Sequence, residues 1–290
     1  MIDTLNDKVF VFQNVHKSGQ TMKNLLEQFA DSADFIFMQE ALFSHVQNTA
    51  STTSELGDAI EGPPIHAAWQ EVHLFGKFPK TQVCIYVNRR LLSLYRLSVD
   101  PDASHDSNVL TLTLADCRTR HTATIVCLYN QPKSGNSAIH ALLHLLPEVD
   151  DLMLLQGDFN LHSSDWDPQV LQTPRIATDL MAALTLSELT LVNDDGLPTW
   201  HHKHNKPAVL DLLFMADPLL RRCSCDFEND KLGRGATDHS LLRLWIGRCS
   251  KTPGRQYIPQ DSEEEEAFIA SVKQSVTQAV HSAHVQDIFD

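Results

Sequence analysis

Eight side chains in this sequence have types and positions suited to chemistry on an oxyanion: Asn14, Glu40, Tyr129, Asp158, Asn160, Asp211, Asp238 and His239. The densest stretch is Asp151–Pro168, DLMLLQGDFNLHSSDWDP. Its apolar run Leu152–Leu155 is too short for a helix and fits a strand buried on both faces. Gly157 is expected to break that strand and deliver Asp158, Phe159 and Asn160 to a tight turn, where a scaffold can hold polar groups rigidly. An Asx turn serving only local backbone is the plainer reading of Asp158 and Asn160. Hard oxygen donors such as Glu40 and Asp238 suit Mg2+, which keeps several waters and bridges to phosphate. Asp158 and Asn160 can align a water, and His239 can stabilise charge on phosphate oxygens. Asp211, an acid inside an apolar run, must be paired if buried, and as a partner it would fix the orientation of His239.

The surrounding elements place these groups at strand ends. Lys8–Val15 reads as a strand ending near Asn14, and Gln20–Ala30 carries Met22, Leu25, Leu26 and Phe29 at helical spacing. Phe35–Met38 is a second strand, followed by Gln39 and Glu40. Polar residues at the ends of a strand–helix–strand unit gather along one sheet edge and form a cleft. Further strands are expected at Val83–Asn88, Val109–Ala115 and Thr122–Tyr129, with a helix at Ser137–Leu146. A helix at Pro174–Glu188 and strands at Thr190–Asn193, Ala208–Met215 and Ser240–Ile246 complete the pattern. His45–Gln82 reads as a long irregular insertion. His201, His202 and His204 lie in a polar loop without partner spacing, so a solvated loop is expected there rather than a metal site.

Composition sets bounds. The chain has 290 residues, 42% apolar and 21% charged, as an ordinary globular chain does. No apolar run approaches the roughly 20 residues needed to span a bilayer. The N-terminus lacks a basic n-region, so it does not read as a secretory signal. Six scattered cysteines show no zinc spacing, which favours a reduced, intracellular protein, nuclear or cytoplasmic. The net charge of −14 argues against a wide basic face for nucleic acid. It leaves phosphodiester chemistry open. Two segments are expected: a catalytic domain over 1–250, then a linker and an amphipathic helix over 251–290. In the latter Ser262 and Glu265 form a capping box, and Ile269, Val272, Val276 and Val280 form an apolar stripe.

Taken in order, Gln13-Asn14, Gln39-Glu40, the strand end at Tyr129, Gly157-Asp158-Phe159-Asn160, the Asp211 strand and Thr237-Asp238-His239 resemble the endonuclease/exonuclease/phosphatase superfamily over residues 8–246. Gly-Asp-Phe-Asn-Leu-His with nearby Trp166, and the opening Gln-Asn-Val-His-Lys-Ser, are similar to endonuclease domains of fungal non-LTR (LINE-type) retrotransposons. The resemblance implies a four-layer α/β sandwich, two mixed β-sheets packed face to face with helices outside. It implies a DNA endonuclease using Mg2+, or Mn2+ in its place, that leaves 3′-hydroxyl and 5′-phosphate ends. Glu40 would bind the metal with Asn14 and Asp238 nearby. Asp158 would orient or deprotonate the water, Asn160 would position it or the phosphate, His239 held by Asp211 would contact the scissile phosphate, and Tyr129 would support the phosphate or leaving group. The implied partners are DNA and a reverse transcriptase domain outside this chain, with no membrane. Val209, standing where DNA-repair members carry Arg, points away from abasic-site repair. A phosphatase or phosphodiesterase acting on a smaller ester, and a catalytically silent remnant, are the alternatives.

Overall fold

The structure, a computed structural model, describes residues 5–48, 59–74, 81–99, 106–194, 196–221 and 223–249. The expected linker and helix over 251–290 lie outside the described residues. Two six-stranded mixed sheets and a small two-stranded one account for the strands. In the first large sheet the order is β13 (Cys223–Asp230), β14 (Leu241–Cys249), β1 (Lys8–Asn14), β2 (Phe35–Gln39), β6 (Val83–Asn88), β5 (Trp69–Val72). In the second it is β11 (Leu189–Leu191), β12 (Asp211–Ala216), β10 (Leu152–Asp158), β9 (Thr122–Tyr129), β8 (Val109–Asp116), β7 (Tyr95–Val99).

Each sheet is built around one parallel pair joined by a helix. In the first, β1 and β2 are connected through α1 (Gly19–Gln28); in the second, β9 and β10 through α2 (Ser137–Leu145). All other pairings in the two sheets are antiparallel. A parallel crossover brings both strand ends to the same edge. Here those ends are Asn14 beside Gln39, and Tyr129 beside Asp158.

The alternation along β1 and β2 explains why both read as unbroken apolar runs. Phe10, Phe12, Phe35 and Phe37 belong to the core shared with the second sheet, while Val11, Ile36 and Met38 pack with Met22, Leu25 and Leu26 of α1 on the other face. The inward phenylalanines stack, with Phe10 and Phe35 centroids 4.9 Å apart. Burying one such ring is worth about 1.5–3 kcal/mol. A polar tie crosses between the sheets next to the site: Gln39 Nε2 donates to Gln156 Oε1 at 2.7 Å, both residues being fully buried. The mixed sheets with helices α1, α2 and α3 (Arg175–Leu186) are those of the expected four-layer α/β sandwich.

Two expectations change. Gly157 does not break its strand; β10 runs through it to Asp158, with Gly157 opposite Leu128 and Leu212. Its missing Cβ allows a close strand approach, since a Cβ there would sit 2.1 Å from the Leu128 carbonyl oxygen. The supposed irregular stretch His45–Gln82 also contains strand: β3 (Ser44–Asn48) pairs with β4 (Ala59–Gly62), and β5 adds an edge to the first sheet. With four or five residues apiece, these strands are too short to show a periodic signal.

Candidate active site

Asp158 lies at the end of β10, opposite Tyr129 on one side and Asp211 on the other. Its carboxylate is only 1% exposed. Three donors surround it. Asn14 Nδ2 reaches Asp158 Oδ2 at 2.9 Å, the Asn160 amide reaches Oδ1 at 3.0 Å, and His239 Nε2 stands 3.9 Å from Oδ2. The amide of Asn160 is thus the donor of an Asx turn, as the plainer reading of that segment has it, yet the same carboxylate is also engaged from the opposite sheet.

His239 is 4% exposed, and its Nδ1 lies 2.8 Å from Asp211 Oδ2. Burial works against a charged ring, but the charge and hydrogen bond of Asp211, then Asp158 and Asp238, outweigh it and hold the imidazole pKa above its ordinary value. These carboxylates favour the protonated, imidazolium form of the ring. Its Nε2 is 3.9 Å from both Asp158 Oδ2 and Asp238 Oδ1, too long for a direct hydrogen bond. Asp158 is pushed above the usual carboxylate range, chiefly by burial; His239 and the Asn14 and Asn160 donors pull it down, and Asp211 pushes it further up.

Glu40 follows β2 with φ of +47°, and Asn160 follows β10 with φ of +45°. Non-glycine residues adopt this left-handed region at a cost, and such strain gathers at functional sites. Glu40 Oε1 accepts from Asn14 Nδ2 at 3.0 Å. Burial and the charges of Glu40 and Asp158 hold the Tyr129 pKa well above its usual value, so it stays a neutral hydroxyl. Asn160 turns its own Nδ2 to the Asn130 carbonyl at 3.1 Å.

The structure therefore brings Asn14, Glu40 and Asp158 into one hydrogen-bonded cluster, with Tyr129 beside Asp158 on the neighbouring strand, and Asp158, Asp211 and His239 into another that shares Asp158. Asp238 sits beyond His239, its Oδ2 accepting from Trp200 Nε1 at 2.9 Å. Among the described residues, the one set of three metal-capable side chains with ligand atoms within 4.8 Å of one another is Asp158, Asp211 and His239. Glu40 and Asp238 are not in it. Asn14 presents its amide nitrogen, not its oxygen, to the carboxylates, because Asn14 Oδ1 accepts from the His16 amide at 2.9 Å.

A divalent cation fits the chemistry of these groups. Two buried carboxylates, Asp158 and Asp211, lie against one imidazole, with the partly exposed Asp238 and Glu40 nearby, and negative charge gathered in this way is costly unless a cation offsets it. Glu40 is partly exposed, accepts from the neutral Asn14 amide, and makes no ion pair among the described residues.

Sequence patterns did not reveal Thr199 or Trp200. Buried Thr199 Oγ1 accepts from the amides of Leu210 at 3.0 Å and Asp211 at 2.9 Å, fixing the entry to β12. Replacing Thr199 with Val keeps the shape and strands both donors. At about 1–3 kcal/mol per unsatisfied group, a loss of roughly 2 kcal/mol or more is expected in a denaturant titration.

Residues 123–242 match the family model described as endonuclease–reverse transcriptase. No curated protein matches the chain. Among solved structures, the endonuclease domain of TRAS1, a telomere-specific non-LTR retrotransposon, superposes with a TM-score of 0.59 at 16% identity, over 82% of this chain and 98% of that one. A 3′-5′ exonuclease from Neisseria meningitidis gives a TM-score of 0.53 at 13% identity, over 82% and 99%. An AP endonuclease from Archaeoglobus fulgidus gives 0.53 at 16% identity, over the same 82% and 99%. The chain thus shares its fold with these nucleases, and over residues 123–242 its sequence matches the endonuclease–reverse transcriptase family model.

Proposed function

We propose that this chain is a Mg2+-dependent DNA endonuclease that nicks a target strand for a non-LTR retrotransposon. The observation that carries the reading is the pair of clusters sharing Asp158: Asp211–His239 on one side and Asn14–Glu40 on the other. Asp158 accepts the proton of a water while that water's oxygen forms a bond to phosphorus. The bond from phosphorus to the 3′ oxygen breaks and that oxygen takes a proton from solvent, leaving 3′-hydroxyl and 5′-phosphate ends. The His239 imidazolium, oriented by Asp211, sits where it can hold a phosphate oxygen through Nε2. Asn160 positions the water through its amide oxygen. The neutral Tyr129 hydroxyl supports the phosphate or the leaving oxygen. Glu40 would hold Mg2+, which supplies charge neutralisation at the phosphate; Mn2+ would serve in its place. Asn14 orients the Glu40 and Asp158 carboxylates, and Asp238 contributes charge from the far side of His239.

The partners in this reading are DNA and a reverse transcriptase domain, and the place of action is the nucleus. No helix among the described residues is long and apolar enough to cross a membrane. The net charge of −14 favours a second reading, a phosphatase or phosphodiesterase acting on a smaller ester. Offering supercoiled plasmid and a small phosphodiester separates the two. Nicks that a polymerase extends without pretreatment are expected for the endonuclease. Turnover of the small ester with intact plasmid would move the protein to the second reading, and silence on both would make it an inactive remnant.

A further inference from the structure

Beside His239, the turn that follows β13 carries two cations with no counter-ion. Lys231 and Arg234 make no ion pair among the described residues. The turn itself is held firmly. Asp230 Oδ1 accepts from the amides of Leu232 at 2.9 Å and Gly233 at 2.7 Å, and Gly235 takes φ of +67°. Gln13 Nε2, from β1, donates to the Arg234 carbonyl at 3.0 Å and lies 3.4 Å from that of His239. One amide thus ties Arg234 to the catalytic segment. Arg234 Nη1 is buried and has no hydrogen-bond partner. Both cations act electrostatically on His201, whose Nε2 lies 3.2 Å from Ser240 Oγ and whose backbone amide bonds the Asp238 carbonyl at 2.8 Å. The Arg234 side chain is only half-buried and has no acceptor among the described residues, and a phosphate oxygen reaching the exposed part of the guanidinium is the acceptor its chemistry suits.

We propose that Arg234, with Lys231 beside it, binds a non-scissile phosphate of the substrate strand adjoining the phosphate held by His239. The inference rests on the hydrolase reading and extends it: a chain of strongly negative net charge grips a phosphate polymer through a small, unpaired cationic notch rather than a broad basic face.

The test is binding of a fluorescently labelled DNA duplex by the full chain in EDTA, followed by anisotropy across a salt series, so that no cleavage intervenes. Arg234→Gln is expected to weaken binding about tenfold, the loss of one charge-assisted contact. It should also reduce the slope of log K against log salt by about 0.9, the share of one phosphate on B-DNA. Arg234→Lys keeps the charge but not the fork, and should retain the wild-type slope with intermediate affinity. Arg175→Gln, on a 93% exposed side chain of α3, is the charge control and should change neither value. Thermal melts of each variant establish that it is folded; if the Gln variant is not, the affinity and slope of Arg234→Lys carry the comparison. Wild-type slope and affinity in Arg234→Gln would overturn the proposal, as would a wild-type chain without salt-dependent binding. Salt-dependent binding lost at Arg234, in a protein that nicks nothing, would remove the hydrolase reading while keeping the phosphate contact.

Discussion

Asp158→Asn is expected to lower the rate of phosphodiester hydrolysis by roughly 10³-fold or more, the upper range for removing a general base. The substitution preserves size and keeps one amide oxygen for the Asn160 amide, which sits 3.0 Å from Asp158 Oδ1. What it removes is the proton acceptor. It also turns an NH2 toward Asn14 Nδ2 and His239 Nε2, both of which point at Oδ2. That mismatch costs about 1–3 kcal/mol. Relief from burying a carboxylate beside Asp211 works in the opposite direction, so the thermal midpoint should move by only a few degrees. His239→Ala should cause a loss of similar size. If the two side chains serve one chemical step, the double variant should be little worse than either single one. Nicking rates and melting curves for the three proteins check this. A variant at Asp158 with a tenth or more of wild-type activity would remove that residue from the chemistry.

Gly157→Ala is expected to be the most destabilising small substitution in the site region. The added Cβ would lie 2.1 Å from the Leu128 carbonyl oxygen and 2.8 Å from its carbon. Both are backbone atoms of β9, which is paired to β10 at this position. No rotamer change can relieve such a contact, so the central parallel pair must part. Overpacking of this kind costs typically 1–3 kcal/mol and more where backbone is the obstacle; about 3 kcal/mol or greater is expected here. For a domain of this size that lowers the midpoint by about 6–12 °C. Asp158 follows directly and shares the pairing with Tyr129 and Asp211, so activity should fall along with stability. An alanine variant that melts with the wild type would show that the two strands are not so closely apposed.

Much of this arrangement was legible in the sequence because strand ends and polar residues coincide. Phe35–Gln39 ends where Glu40 begins, and the apolar run before Asp158 became β10. The His239–Asp211 bond was anticipated from an acid embedded in an apolar run, though Asp211 proved to be the first residue of β12 rather than one inside it. What the sequence concealed depends on atoms rather than spacing. A glycine in Gly-Asp-Phe-Asn looks like a turn signal, and only the 2.1 Å contact shows that it serves strand packing. Asn14 is of the right type to ligate a metal, but its oxygen is engaged by the His16 amide, which turns its nitrogen toward Glu40 and Asp158. Asp238 carries the right charge, yet no ligand set among the described residues joins it to Glu40. The polar loop that looked merely solvated supplies Trp200 to Asp238 and His201 to Ser240, contacts between segments roughly forty residues apart that no local pattern encodes.

The most direct measurement is the Mg2+ dependence of supercoiled plasmid nicking by the wild-type chain and by Glu40→Ala at equal concentration, with an EDTA control. The expected result is nicking that rises with Mg2+, vanishes in EDTA and is lost in the variant, which still melts cooperatively. Nicking that persists in EDTA, or a Glu40→Ala protein as active as the wild type at every Mg2+ concentration, would contradict a metal-assisted centre built on Glu40 and Asp158.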